Sequence, residues 1–329
     1  MSNQFVHLGD LGPRPGVLKA WERVKHPHGW WFAECCAEFL GVFIYTFAGT
    51  GPTFVFNLSN FTKVNNIGSL FGIGLSYAIG LVLAISICAP VSGAHLSPGI
   101  TIAATIFKGF PPLKALRYVI AQILGAFVAC LVVYAQYYEQ IKVLSKALEA
   151  EGVLDVVNFT PQGIAGCFAL YAPVGSSLRY VFFNEFICTF ILGIVIWACV
   201  DHTNFYVPTS FISVVIGLGY ATIIWGFSPV GLAANTARDV GGRLMAVAIW
   251  GTKANGGAYA AIAALTNILT ACLSLVVYET IFADSSRVVS PDRHHHLHAQ
   301  AAEQEYRTGN RPAVTHIPEP YGSSEKITA

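Results

Sequence analysis

The chain has 329 residues, 54% of them hydrophobic and 11% charged, with a mean hydropathy of +0.56; that much apolar surface puts it in the membrane class rather than among soluble domains. A formal net charge of +1 and a pI of about 7.6 argue against nucleic acid as a partner. The sequence shows no nucleophile with a paired histidine, no metal-spaced cluster and no phosphate loop, so neither an enzyme nor a metal or cofactor is expected.

In chain order, residues 1–30 read as a polar N-terminal tail with Pro13, Arg14, Pro15, Lys19, Arg23 and Lys25, and no apolar segment precedes Trp30 that would serve as a cleavable signal. Apolar runs of spanning length follow at about 31–56, 67–90, 115–137, 179–200, 208–227 and 256–282. Each approaches the ~20 residues a helix needs to cross a hydrocarbon core of ~30 Å. Past Phe282 the composition turns to Asp, Ser, Arg, His, Gln and Pro, so 283–329 is expected to be a disordered C-terminal tail. His294, His295, His296 and His298 lie in it and, without a fixed scaffold, are assigned no metal. Of the cysteines only Cys167 falls in a loop, and none has C-x-x-C spacing, so they read as small core residues.

Two further apolar stretches, about 91–107 and 229–247, are too short to span and contain Ser97-Pro98-Gly99 and Asn235-Thr236-Ala237. Interrupted hydrophobic segments at corresponding places in two halves point to re-entrant half-helices meeting at the bilayer midplane. The halves also repeat: Glu38-Phe39 and Glu185-Phe186 each open an apolar run, and Gly93 and Gly231 stand four residues before Ser97 and Asn235. Three spans per half force the halves to be inverted. The domain reading is therefore an N-terminal tail, 1–30; a membrane-spanning domain, 31–282, made of a first repeat (about 31–137), a connecting loop (about 138–178) and a second repeat (about 179–282); and the C-terminal tail, 283–329.

An even number of spans puts both tails on one side, and the basic N-terminal segment, with Lys108, Lys114 and Arg117 after the first short stretch, favours the cytoplasm. The outer loops then hold the triplets Asn57-Leu58-Ser59, Asn60-Phe61-Thr62 and Asn158-Phe159-Thr160, which are glycosylation acceptors in form.

Ser92-Gly93-Ala94-His95-Leu96-Ser97-Pro98-Gly99 resembles the first Asn-Pro-Ala loop of the aquaporin and glycerol-facilitator (major intrinsic protein) family. Asn235-Thr236-Ala237-Arg238-Asp239, with Gly241 and Arg243, resembles the second. Ala37-Glu38-Phe39-Leu40-Gly41 and Asn184-Glu185-Phe186 are similar to its first- and fourth-span signatures, and Ala165–Pro173 with Asp239 is closer to the glycerol-conducting branch. The resemblance implies an all-α membrane fold of six transmembrane helices plus two re-entrant half-helices, as inverted three-helix repeats. It implies a homotetramer, one pore per protomer, passing water and small neutral solutes such as glycerol through the lipid bilayer, most naturally the plasma membrane.

By the family's register, Tyr77, Ile223 or Ile224, Leu232 and Arg238 form an outer selectivity constriction. Three apolar walls opposite one donor cluster suit a solute with a carbon backbone on one side and hydroxyls on the other. His95 is assigned to the pore wall or to the core, and Asp239 to support of the loop, with an ion pair to Arg238 as the alternative. Ser97 and Asn235 are expected to cap their half-helices, Pro98 to open the first and Gly99 to continue it; Ala237 continues the second. Ser97 has a shorter reach and fewer donors than an asparagine, and Thr236 lacks proline's fixed angle, so a wider midpoint and a looser second loop are expected. Glu38 and Glu185 are expected to accept hydrogen bonds from their own half's loop, or else to relay protons. Two readings therefore compete with the passive channel: a proton-coupled or facilitated transporter of small solutes or weak acids, and a non-conducting sensor built on the same fold.

Overall fold

A computed structural model describes residues 5–64 and 67–308. Among them no strand occurs, and the principal helices are α1 (Gly16–Val24), α2 (Trp30–Thr62), α3 (Leu70–Ser92), α4 (Pro98–Phe107), α5 (Pro112–Gln136), α6 (Tyr138–Ala150), α7 (Leu178–Val200), α8 (Ile212–Phe227), α9 (Thr236–Trp250), α10 (Ala258–Ile281) and α11 (Pro291–Thr308). The six-span reading holds: α2, α3, α5, α7, α8 and α10 are long and apolar enough to cross a membrane. The first span outruns its expected end near 56 and continues through Pro52 to Thr62, stopping where Lys63 takes a left-handed φ of 58°.

Local chemistry sets the other ends. Ser69 accepts from Gly72 N at 2.9 Å and caps α3, while Pro98 and Pro112 occupy first helical positions, where a missing N–H costs nothing. Each spanning helix buries one stripe and turns the other outward; on α3, Leu75, Ile79, Leu83 and Ile87 recur every four residues and are all exposed. That is a lipid-facing stripe. Inside, small residues let backbones touch: a Cβ at Gly125 of α5 would lie 2.3 Å from the Phe39 carbonyl oxygen of α2.

The tails differ from the sequence expectation over the described residues. The segment beyond Phe282 cannot build a core of its own, but it docks through polar contacts on the connection between α7 and α8. Arg293 is buried and donates to the Cys199 and Val207 carbonyls, Ser290 N donates to His202 O at 3.0 Å, and Thr209 N donates to Asp292 Oδ2 at 2.6 Å. The helix α11 that follows also meets the N-terminal segment, with the Tyr306 ring stacked on His7 at 4.5 Å and Arg307 3.7 Å from the Trp30 ring. Residues 309–329 lie outside the described residues.

The connection 138–178 is also more ordered than its loop assignment implied. It carries α6 and then a compact stretch in which Ile164, Cys167 and Phe168 are buried against the bundle. This bears on the acceptor triplets, because Asn57 and Asn158 are each only 4% exposed. The Asn57 amide donates to Pro161 O at 3.0 Å, Gly163 O at 3.2 Å and Cys167 Sγ at 3.3 Å, and Asn158 Oδ1 accepts from Ala165 N at 3.1 Å. Neither side chain is free for glycosylation; Asn60 is exposed on the last turn of α2.

Candidate functional site

Two glutamates fix the two interrupted loops. In the first half the Glu38 carboxylate, fully buried on α2, accepts from His95 N at 3.0 Å and Leu96 N at 2.8 Å, and from Ser92 Oγ at 2.6 Å and Gln122 Nε2 at 2.7 Å. In the second half Glu185, also fully buried, accepts from Ala233 N at 2.6 Å and Ala234 N at 2.8 Å. Each carboxylate thereby turns consecutive amides of its own half's loop toward itself and holds unusual backbone: Leu96 and Ala234 have φ of 50° and 60°, left-handed values that cost a non-glycine residue about 1 kcal/mol or more. His95 is half-buried, with Nδ1 3.2 Å from Thr101 Oγ1 and its ring against Phe110 and Tyr118.

The residues after these strained positions start the half-helices α4 and α9, and they do so differently. Asn235 Oδ1 accepts from Ala237 N at 2.8 Å and Arg238 N at 3.2 Å, a true side-chain cap. Ser97 makes no such bond. Its hydroxyl donates to Asn267 Oδ1 of α10 at 3.1 Å, while its oxygen accepts no amide of the first turn of α4, so the expected serine cap is absent. Thr236 is not loose either: Thr236 Oγ1 donates to Ala264 O at 2.9 Å, tying the first turn of α9 to α10.

Three residues into α9, Arg238 is 1% exposed, and three of the five N–H donors of its guanidinium are taken up within the protein. Nη1 donates to Phe168 O at 2.6 Å, Nη2 to Cys167 O at 3.3 Å and Nε to the Tyr77 hydroxyl at 3.0 Å. Asp239 does not take part. It pairs with Arg243 one turn on (Nε to Oδ2, 3.1 Å), and Arg243 reaches Leu170 O at 2.9 Å and Asn255 O at 3.2 Å. Arg238 therefore holds the 160s loop from within, and the Asp239–Arg243 pair holds it from behind.

Tyr77, Ile224, Leu232 and Arg238 all line one cavity of about 330 Å³, with Ile73, Tyr220 and loop residues around Tyr171. Ile224 is on its wall and Ile223 is not. The lining combines a cation without a carboxylate partner, a phenol bonded to it and branched aliphatic side chains.

Comparisons with known proteins bear on the family and the fold. The family model described as major intrinsic protein matches residues 26–281. The chain belongs to that family. A curated relative named Aquaporin-3, from Laccaria bicolor, is 46% identical over 92% of this chain and 94% of its own. A glycerol uptake facilitator protein of Pseudomonas aeruginosa is 34% identical over 77% of this chain and 89% of its own. Among solved structures, the aquaglyceroporin from Plasmodium falciparum superposes with a TM-score of 0.63 at 25% identity, covering 77% of this chain and 97% of that one. As a major intrinsic protein the chain is a membrane channel and not an enzyme.

Two tyrosines that shape this major intrinsic protein's cavity escaped the motif-based reading. Tyr45 and Tyr220 pack against Tyr77 with ring centroids 6.4 and 5.8 Å away, forming an aromatic cluster below Arg238. Tyr45 lies two turns after Glu38 on the same helix face, which was a usable signal. Gly242 permits the close approach of the loop that holds Arg238, since a Cβ there would lie 2.3 Å from the Phe168 carbonyl oxygen. Asn267 carried no local pattern and Asn57 only that of its acceptor triplet; both act through contacts more than thirty residues away in sequence.

Proposed function

We propose that the protein is a passive channel for water and small uncharged solutes such as glycerol, working as a homotetramer with one pore per protomer, in the plasma membrane with both termini cytoplasmic. The observation that carries this is the cavity that the hydrogen-bonded Arg238 and Tyr77 line together with Ile224 and Leu232. A polyol in that cavity meets both donors and aliphatic surface, and relatives of both water- and glycerol-named kinds support the pair of permeants. The N-terminal ends of α4 and α9 meet at the two loops, each with roughly half a positive charge, and with Arg238 they disfavour cations while leaving neutral solutes little affected.

Ser97, Pro98, Gly99, Asn235, Thr236 and Ala237 form the midpoint in this reading, with Tyr77, Ile224, Leu232 and Arg238 as the outer constriction. Glu38 and Glu185 act as scaffold rather than as a proton relay, their oxygens already taken up by loop amides. Lys114 Nζ pairs with Glu34 at 2.8 Å and Lys108 with Glu279, which gathers the basic α4–α5 connection, the start of α2 and the end of α10 on one face, in keeping with a cytoplasmic side. The test is stopped-flow light scattering on proteoliposomes. Shrinkage in a sucrose gradient and glycerol re-swelling should both exceed protein-free vesicles and rise linearly with the gradient; no acceleration in either would overturn the channel, and saturable flux that follows a pH gradient would favour a coupled transporter.

A further inference from the structure

The inverted repeat sets up a comparison within the molecule. Leu96 and Ala234 occupy corresponding places, each with left-handed φ and each just before the first residue of a half-helix. Each also presents its carbonyl oxygen to an amide from elsewhere. Leu96 O accepts from Asn235 Nδ2 at 2.9 Å, so the donor to the first loop is the residue that starts the opposite half-helix. By the pseudo-two-fold relation, the donor to Ala234 O should be residue 97. Position 97 is serine, which has no amide and too short a reach.

The donor to Ala234 O is instead Asn267 Nδ2 of α10, at 3.1 Å. The remaining atom of that amide, Oδ1, accepts the Ser97 hydroxyl at 3.1 Å. Ser97 and Asn267 together thus span the path that Asn235 spans alone in the other half. Gly99 completes the arrangement: a Cβ there would lie 2.7 Å from Asn267 Oδ1, 2.8 Å from the Asn267 carbonyl oxygen and 3.2 Å from Ala271 Cβ. A side chain at 99 would hold α10 too far off for Asn267 to reach both partners.

We propose that Asn267 is the pore-centre amide of the first half, acting in place of residue 97, and that Ser97, Gly99 and Asn267 form one interdependent unit that helps set solute selectivity at the midpoint. Asn267 is 7% exposed, as are Ser97 and Asn235, so these three polar groups of the midpoint share the same degree of access. This rests on the channel reading above.

The experiment measures water and glycerol permeability per reconstituted channel for wild type, N267A, S97N and the exchange variant S97N/N267S. N267A strips Ala234 O of its donor and should shift the glycerol-to-water ratio about fivefold, the size a single lost hydrogen bond produces. S97N alone crowds two amides onto one carbonyl and should lower both permeabilities. The exchange variant returns the amide to position 97 and should recover the wild-type ratio. An unchanged ratio in N267A, or an exchange variant no better than N267A, overturns the proposal. Where N267A fails to reach the membrane, the exchange variant decides alone: assembly with wild-type ratio supports the unit, and failure to assemble sinks it. Impermeable wild-type vesicles would remove the channel reading instead; the same exchange is then read from thermal unfolding in detergent, where S97N/N267S melting no higher than N267A overturns the proposal.

Discussion

The Asn235 amide donates to the Leu96 carbonyl oxygen at 2.9 Å, so the residue that caps one half-helix also grips the strained residue before the other. The same side chain caps Ala237 N and Arg238 N through its oxygen. Asn235→Ala loses both functions and should cost about 1 kcal/mol for the cap and about 1–3 kcal/mol for the buried carbonyl left unpaired. Asn235→Asp keeps the capping oxygen but sets a second carboxylate oxygen, and with it a buried negative charge, against the Leu96 carbonyl in place of the donor. Thermal unfolding in detergent should therefore be lowered by both variants; equal stability of all three proteins would show that the two loops are held by the glutamates alone.

Gly242 and Phe168 yield a second expectation. A Cβ at 242 would lie 2.3 Å from the Phe168 carbonyl oxygen, which is backbone and bonded to Arg238 Nη1, so it cannot step aside without moving the guanidinium. Gly242→Ala should destabilise by about 1–3 kcal/mol, as overpacking does, and should lower glycerol flux more than water flux because the donor cluster shifts relative to the Ile224 and Leu232 wall. Stopped-flow measurements with both solutes check it, and an unaltered glycerol-to-water ratio would separate Gly242 from the constriction.

The spans, the two half-helices and the inverted repeat were legible in the sequence because hydrocarbon leaves the chain few choices: a backbone that cannot bond to water must be helical, and hydropathy marks where. That Tyr77, Leu232 and Arg238 line one cavity was also readable, but only through the family resemblance, whose motifs carry the positions over; they lie on separate elements that no helical register connects. Choosing Ile224 over Ile223 was not readable, because the link from α8 to the loop is one residue shorter than the register assumes and the direction of a side chain depends on that residue. The docking of Arg293 was hidden for a different reason. Its partners are backbone carbonyls of Cys199 and Val207, which every residue possesses and no composition reveals. Asn267 and Asn57 share that character: one polar residue in an apolar helix, whose meaning lies entirely in what crosses it in space.

The docked C-terminal segment should respond to acid. Burial pushes the Asp201 carboxyl up, but hydrogen bonds from Thr203 N, Thr203 Oγ1 and the Tyr278 hydroxyl, with the nearby Arg287 guanidinium, outweigh it and hold the group below the ordinary carboxylate range. Hydrogen bonds from Thr209 act the same way on Asp292. A depressed folded value means that the stabilisation is fully present above the ordinary carboxylate range and is lost as pH falls through the folded value. Hydrogen exchange of residues 284–308, with the intrinsic pH dependence divided out, should stay slow at neutral pH and rise only in strong acid. Asp201→Asn should show faster exchange already at neutral pH; exchange independent of both changes would mean that Arg293, the Ser290–His202 bond and the α11 contacts anchor the segment without the carboxylates.

Asn57 links the first span to the arginine indirectly, and its substitution tests whether the loop is held from outside as well as from within. Its amide bonds Pro161 O, Gly163 O and Cys167 Sγ, and the Cys167 and Phe168 carbonyls bond Arg238, so three bonds on one side of the loop are opposed by two on the other. Asn57→Leu keeps the branching of the side chain but takes the amide from Pro161 O and leaves Gly163 O only the weak Cys167 thiol donor, a loss of about 1–3 kcal/mol. With the loop released, Arg238 loses the fixed backbone it bonds to, so glycerol permeability should fall in parallel with thermal stability. The burial of Asn57 and Asn158 also predicts that endoglycosidase treatment of the protein expressed in a eukaryotic host leaves its electrophoretic mobility unchanged when Asn60 is replaced by Gln. A mobility shift in Asn60→Gln would mean that Asn57 or Asn158 had been reachable before the loop closed, and the clamp between α2 and the 160s loop would then have to form late in folding.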